Sequence, residues 1–383
     1  MLPFTYAVRN LFRSKTRLLQ TVGGSALVVL LVMAAMAINT GMKRVLSASG
    51  SPHNVILVGA GSEESIQRSE VSEAAAGIAG TAVPGISESL GVRAVSTEIH
   101  YMNYLELPDG RRKQAEIRGV TPEALRVHPE LRITEGSFPG AGQVMAGRLA
   151  WKKLGVAEAD FKPGSHVILD GQKLTISGIF AAPGTVLESE IWGTLGDLRV
   201  LAKRDTVSCV TLRLDNPEDF SEADLFAKQR LDLELSALRE SDYYAQLGMF
   251  FQPLRAITWI TAALIATGAI FGGVNTLYAA FASRVREMAT LQAIGFGRGS
   301  LLASLVQEST LACLTGALLG SLLAMLLLDG RTIPFSIGAF TLEIGPQVAL
   351  TGVLTGLLLG LLGAIPPAIR CLKPSLHAAL RSS

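Results

Sequence analysis

Four long apolar runs divide the chain, at residues 18–41, 253–282, 301–328 and 347–369, and the polar residues 42–252 separate the first from the second. Residues 18–38 hold no charged side chain. At a rise of about 1.5 Å per residue they extend about 31 Å, enough to cross a hydrocarbon core of roughly 30 Å. The other runs are at least as long, so the pattern predicts four membrane-spanning helices. Ahead of the first, residues 1–17 carry Arg9, Arg13, Lys15 and Arg17 without an acid, and Phe4, Val8, Leu11 and Phe12 fall on one helical face. That is the pattern of a helix lying in the membrane interface. A secretory signal peptide shares this order of basic and apolar segments. Here the apolar run exceeds the usual ~7–15 residues and no clear small-residue cleavage site follows, so a span is expected.

Within residues 42–252 the period changes. Turn-forming clusters recur, among them SGSPHN, PDGRR, SFPGAGQ, KPGSH, LDGQK and AAPGT. The runs between them, at 54–58, 92–96, 115–120, 165–169, 173–180 and 208–214, are rich in Val, Ile and Thr and predict strands. Residues 65–78 and 219–238 read as helical. Past Ser221, Leu225, Leu231, Leu235 and Leu238 lie loosely on one face, which predicts a stalk helix continuing into the second span. The expected fold is a polytopic α-helical membrane protein with four transmembrane helices and a large α+β domain inserted between the first and second.

Charge orients this arrangement. Hydrophobic residues make up 49% of the chain and charged residues 17%, which suits a membrane protein. Of 34 basic and 32 acidic side chains, residues 43–252 hold 22 and 28, leaving 12 basic against 4 acidic elsewhere. Positive charge near span ends is retained on the cytoplasmic side. The N-terminal segment, the connector at 283–300 and the tail at 370–383, with Arg370, Lys373 and Arg381, are therefore expected in the cytoplasm. The inserted domain is expected outside, as is the short loop 329–346 bracketed by Asp329 and Glu343. The same bias accounts for the basic excess, so no nucleic-acid partner is implied.

The connector reads RVREMATLQAIGFGRGS from Arg284 to Ser300. Val285, Met288, Leu291, Gln292 and Ile294 recur at helical spacings, and Gly295, Gly297 and Gly299 can stop a helix, so a short amphipathic helix ending in a glycine turn is expected. In the fourth span Gly352, Gly356 and Gly360 recur every four residues, a spacing that lets helices approach closely in lipid. Glu308 lies about two turns into the third span. An intramembrane acid marks a functional position or pairs with a nearby arginine.

Catalytic and cofactor signatures are missing from the sequence. GAGS at 59–62 lacks the third glycine and following helix of a dinucleotide loop. GFGRGS at 295–300 has no Walker lysine, and no G-x-x-x-x-G-K-[ST] occurs anywhere, so no P-loop ATP site is expected. His53, His100, His128, His166 and His377 are scattered without metal-ligand spacing, and Cys209, Cys313 and Cys371 form neither a disulfide framework nor a zinc pattern. No G-x-S-x-G elbow and no spaced carboxylate pair points to hydrolysis. No cofactor, metal or catalytic residue is therefore expected.

Three segments resemble the FtsX-like permeases of ABC transporters, specifically the MacB-type members with a large periplasmic domain. AVRNLFRSKTRLLQTVGGSALVV is similar to the family's opening interfacial helix and first span. RVREMATLQAIGFGRGSLL is similar to its R-x-R-E-I-G-x-L-x-A-I-G pattern, matched at Arg284, Arg286, Glu287, Leu291, Ala293, Ile294 and Gly295 and departing at Met288-Ala289. PPAIRCLKPSLHAALR resembles its tail. The resemblance implies a non-catalytic subunit of the bacterial inner membrane, its large domain periplasmic, pairing as a homodimer in the lipid bilayer. Arg284, Arg286, Glu287, Leu291, Ile294 and Gly295 would form a coupling helix docked on a cytoplasmic ABC ATPase dimer, which binds the ATP. It further implies that ATP-driven motion reaches the periplasmic domains and drives export or extraction of an amphipathic lipid, lipoprotein, peptide or antibiotic. Members with separate ATPases often work with a membrane-fusion adaptor and an outer-membrane duct. The alternative is an FtsX-like signal relay that activates periplasmic cell-wall hydrolases.

Overall fold

The computed structural model describes residues 4–107 and 110–373. Pro108 and Asp109 of the PDGRR turn, and the tail from 374 with His377 and Arg381, lie outside the described residues. The chain forms two compact units, one of Met1–Gly41, Pro253–Arg331 and Leu342–Ser383, the other of Met42–Gln252 and Thr332–Thr341.

The first unit holds an interfacial helix, Phe4–Arg13, a connector helix, Val285–Ala293, and four helices long and apolar enough to cross a membrane: Lys15–Ser49, Gln252–Ala282, Arg298–Leu327 and Pro346–Cys371. Leu11 of the interfacial helix is buried, while Phe12 is exposed. Small residues decide which spans touch. A Cβ on Gly360 would lie 2.6 Å from Thr310 Cα, one on Gly352 2.6 Å from Met33 Sδ, and one on Gly356 inside contact distance of Ala317 Cβ. Gly316 and Gly320 sit as tightly against the backbone of Val22 and Ala26, so the third span packs against both the first and the fourth. In lipid no hydrophobic force separates helices from tails, and such close backbone approach supplies the attraction through dispersion. Gly268, Gly272 and Gly273 of the second span meet nothing within 4 Å. Gly356→Ala is therefore expected to lower stability by about 1–3 kcal/mol through overpacking, and Gly272→Ala to leave it unchanged or slightly raised, as read by thermal unfolding in detergent.

The second unit is built on a ten-stranded sheet. Its strands are β1 (Asn54–Gly59), β2 (Val95–Glu106), β3 (Arg112–Val120), β4 (Arg132–Gly136), β5 (Gln143–Gly147), β6 (His166–Leu169), β7 (Gln172–Ala181), β8 (Ile191–Thr194), β9 (Cys209–Arg213) and β10 (Leu235–Arg239). They run in the order β10-β1-β9-β2-β3-β8-β5-β7-β4, with β6 beside β2 and β7. Only the pairs β3 with β8 and β5 with β7 are parallel among the described strands. Leu57, Ile99, Val210 and Leu212 anchor one apolar cluster, and Ile117, Val144, Ile176 and Leu198 another.

Two expectations are corrected here. The stretch 219–238 is not one stalk helix. It forms a helix over Phe220–Gln229, then turns at Glu234, which takes a left-handed φ of 47°, into the edge strand Leu235–Arg239. Leu235 and Ala237 alternate inward, a period of two that overrides the loose helical spacing of the leucines. The helix that precedes the second span along the chain is instead Glu240–Phe250. The loop 329–346 is not plain loop either. Thr332–Phe335 and Gly338–Thr341 form a hairpin that belongs to the inserted domain, where Thr332 Oγ1 accepts from Lys152 Nζ at 3.1 Å and Phe335 meets Phe251 edge to face.

Candidate functional site

The connector helix has two unlike faces. Met288 and Ala289 are almost fully buried, and Leu291 packs beside Met288 against Leu277, Phe281, Leu301 and Ala368. Arg286, Thr290, Ala293 and Ile294 form the opposite, exposed stripe, and Ile294 keeps 70% of its surface. Gly295 ends the helix at φ 107°, a conformation that disfavours any side chain, and Phe296 N–H returns to Leu291 O at 3.1 Å. Met288 and Ala289, where the sequence departs from the R-x-R-E-I-G pattern, thus face inward, away from the exposed stripe.

Arg284 precedes the helix and is turned inward, 8% exposed. It donates to Glu308 Oε2 at 2.8 Å and to Glu287 Oε2 at 3.2 Å. The other Glu308 oxygen accepts from Arg17 at the start of the first span, and Glu287 Oε1 accepts from Arg13 of the interfacial helix. Burial works against ionisation of Glu287, yet the Arg13 and Arg284 guanidiniums hold its carboxyl below the usual range. Arg284 and Glu287 are therefore engaged within the chain, while Arg286 and Ile294 remain presented. Sequence reasoning singled out Glu308 but not its partners, because residues 17, 284 and 308 are brought together only by the packing of three helices.

Comparison with known proteins decides the family. Residues 18–224 match the MacB-like periplasmic core domain, and residues 259–376 match the FtsX-like permease C-terminal domain. The chain is a MacB/FtsX-like permease. Solved structures similar to this permease include the periplasmic region of MacB from Actinobacillus actinomycetemcomitans, at 12% identity over 54% of this chain and 96% of that one, with a TM-score of 0.39. The extracellular domain of the noncanonic ABC-type transporter YknZ from Gram-positive bacteria is similar at 14% identity over 48% and 99%, with a TM-score of 0.37. No curated protein matches the chain.

The inserted domain of the permease holds a second cluster that the sequence did not announce. Arg118 on β3, 3% exposed, donates twice to Glu190, at 2.8 and 2.9 Å, and once to Glu98 on β2 at 3.0 Å. Glu190 also accepts from Trp192 Nε1 at 2.7 Å, and the Arg118 guanidinium lies 5.2 Å from the Trp192 ring. His128, fully buried, lies 3.3 Å from Glu130 and 3.8 Å from Glu98. Glu240 accepts from Ser51 N–H and Asn54 Nδ2, each at 2.9 Å. Burial opposes every charge here. It is outweighed for Glu98 and Glu190, whose carboxyls Arg118 pulls down, and for His128, which Glu130, Glu98 and Glu240 push up to about 10. Burial prevails at Glu240, whose carboxyl is raised, and at Lys153, whose amine is lowered. His100, 3.4 Å from Glu98, and His128, both read from sequence as isolated histidines, are thus parts of one ionic layer; its members come from β2, β3, the helix Glu240–Phe250 and the turns between them and carry no linear motif.

Proposed function

We propose that this permease docks a separate cytoplasmic ABC ATPase dimer through the exposed stripe of its connector helix and passes ATP-driven motion to its periplasmic domain. In this reading two permease copies pair in the inner membrane, with both termini cytoplasmic. The movement drives export or extraction of an amphipathic substrate such as a lipid, lipoprotein, peptide or antibiotic, and a membrane-fusion adaptor and outer-membrane duct complete the path. ATP is bound by the partner. The carrying observation is the division of labour in the connector. One face is locked into the bundle by Met288, Leu291 and the Arg17–Glu308–Arg284 contacts, while Arg286, Thr290, Ala293 and Ile294 are presented. A rigidly held helix with one exposed apolar anchor beside a cation is suited to sit in a partner's groove and to transmit a push.

The test is recovery of partners on tagged permease from its native membrane. A Walker-motif ATPase should co-purify, and the double substitution Arg286→Glu with Ile294→Asp should reduce its recovery by about tenfold or more, as expected for loss of a central anchor. Unchanged recovery with the double variant would remove the docking assignment. An adaptor among the co-purifying proteins supports export, and a cell-wall hydrolase in its place would assign the signal relay.

A further inference from the structure

Cys209 on β9 is the cross-strand partner of Glu98 on β2, and His100 follows Glu98 by two residues on the same face of that strand. A carboxylate oxygen of Glu98, an imidazole nitrogen of His100 and the Cys209 sulfur all lie within 4.8 Å of one another. In a tetrahedral site with bonds of about 2.0–2.3 Å, donor atoms stand roughly 3.3–3.8 Å apart, so small side-chain rotations bring these three into range. We propose that Glu98, His100 and Cys209 bind a divalent cation of the zinc class in the inserted domain, with a water completing the shell.

The surrounding contacts match what metal ligands require. His100 directs Nε2 toward Glu98 Oε2, at 3.4 Å, and Nδ1 toward Glu116 Oε1, at 3.7 Å, and Glu116 accepts from Gln67 at 2.9 Å. A carboxylate behind a ligating imidazole fixes its tautomer and raises its basicity. Arg118 holds Glu98 through Oε2, and its charge is met by the bidentate Glu190. One thiolate with imidazole and carboxylate selects zinc-like cations over magnesium or calcium, which take all-oxygen shells.

The experiment uses the 383-residue chain in detergent, with Cys313→Ala and Cys371→Ala so that Cys209 is the one remaining thiol, stripped with a chelator and titrated with cobalt(II) and then zinc. The expected result is saturation at one cation per chain, a near-ultraviolet thiolate-to-cobalt band with tetrahedral visible bands, and loss of both on adding zinc. Cys209→Ser should abolish the near-ultraviolet band, and His100→Gln should weaken binding by about tenfold or more. Absence of a thiolate-to-cobalt band in the parent protein would overturn the site, whatever the folding of the variants. A band that persists unchanged in His100→Gln would overturn the ligand set.

Discussion

Arg118→Met is expected to destabilise the inserted domain by about 3–5 kcal/mol, the largest single-residue effect foreseen for that unit. Methionine fills much of the volume but leaves Glu98 and Glu190, both buried, without the cation that neutralises them. The loss comes less from the missing attraction than from two carboxylates stranded in a medium that solvates them poorly. Lys228→Met is the control. Lys228 also meets a carboxylate, Asp224, at 2.7 Å, but the two side chains are 71% and 32% exposed, and exposed pairs contribute about 0–1 kcal/mol. Thermal unfolding of the full chain in detergent, followed by near-ultraviolet circular dichroism of Trp192 and its neighbours, reads both. Equal midpoints for the two variants would show that the Arg118 layer does not hold the sheet together.

Glu308→Gln should have the largest effect on the membrane unit. The amide keeps the shape of the side chain but cannot neutralise Arg17 and Arg284, which converge on the carboxylate from the first span and from the turn before the connector helix. Two guanidiniums facing each other at the membrane boundary repel and draw water inward, so the connector helix should lose its fixed position relative to the first and third spans. The expected outcome is destabilisation of about 3–5 kcal/mol and, in the proposed assembly, loss of stimulation of the ATPase partner, with Glu308→Asp recovering part of both. Stimulation preserved in Glu308→Gln would mean that the connector is positioned by its apolar face alone, through Met288 and Leu291.

The span pattern and the family motifs were legible because each depends on neighbours close in sequence. An uncharged run long enough to cross lipid needs no tertiary partner to be recognised, and the connector helix between Arg284 and Gly295 is a local period of three and four ended by a glycine. Local periodicity failed where two periods compete. The leucines of 219–238 fit a loose helical face, yet Leu235 and Ala237 belong to a strand, because β1 offers that segment a hydrogen-bonded edge that no helix could use. The hairpin Thr332–Phe335/Gly338–Thr341 was read as loop for another reason, its strands being too short to signal without the domain they join.

Which connector residues stay exposed was decided by packing alone. The motif made Arg284, Arg286, Glu287, Leu291, Ile294 and Gly295 equivalent, and the fold divides them into an inward set, a shared ion pair and an exposed stripe. The ionic layer of Glu98, His100, Arg118, His128 and Glu190 carries no linear motif, since adjacent strands of a sheet can come from any distance along the chain. The sequence by itself determined a four-span permease with an inserted α+β domain, because hydropathy, charge bias and motif are properties of short segments. Only the tertiary structure decided where charge is buried and against what, because that energy depends on groups far apart in the chain meeting in a low-dielectric interior.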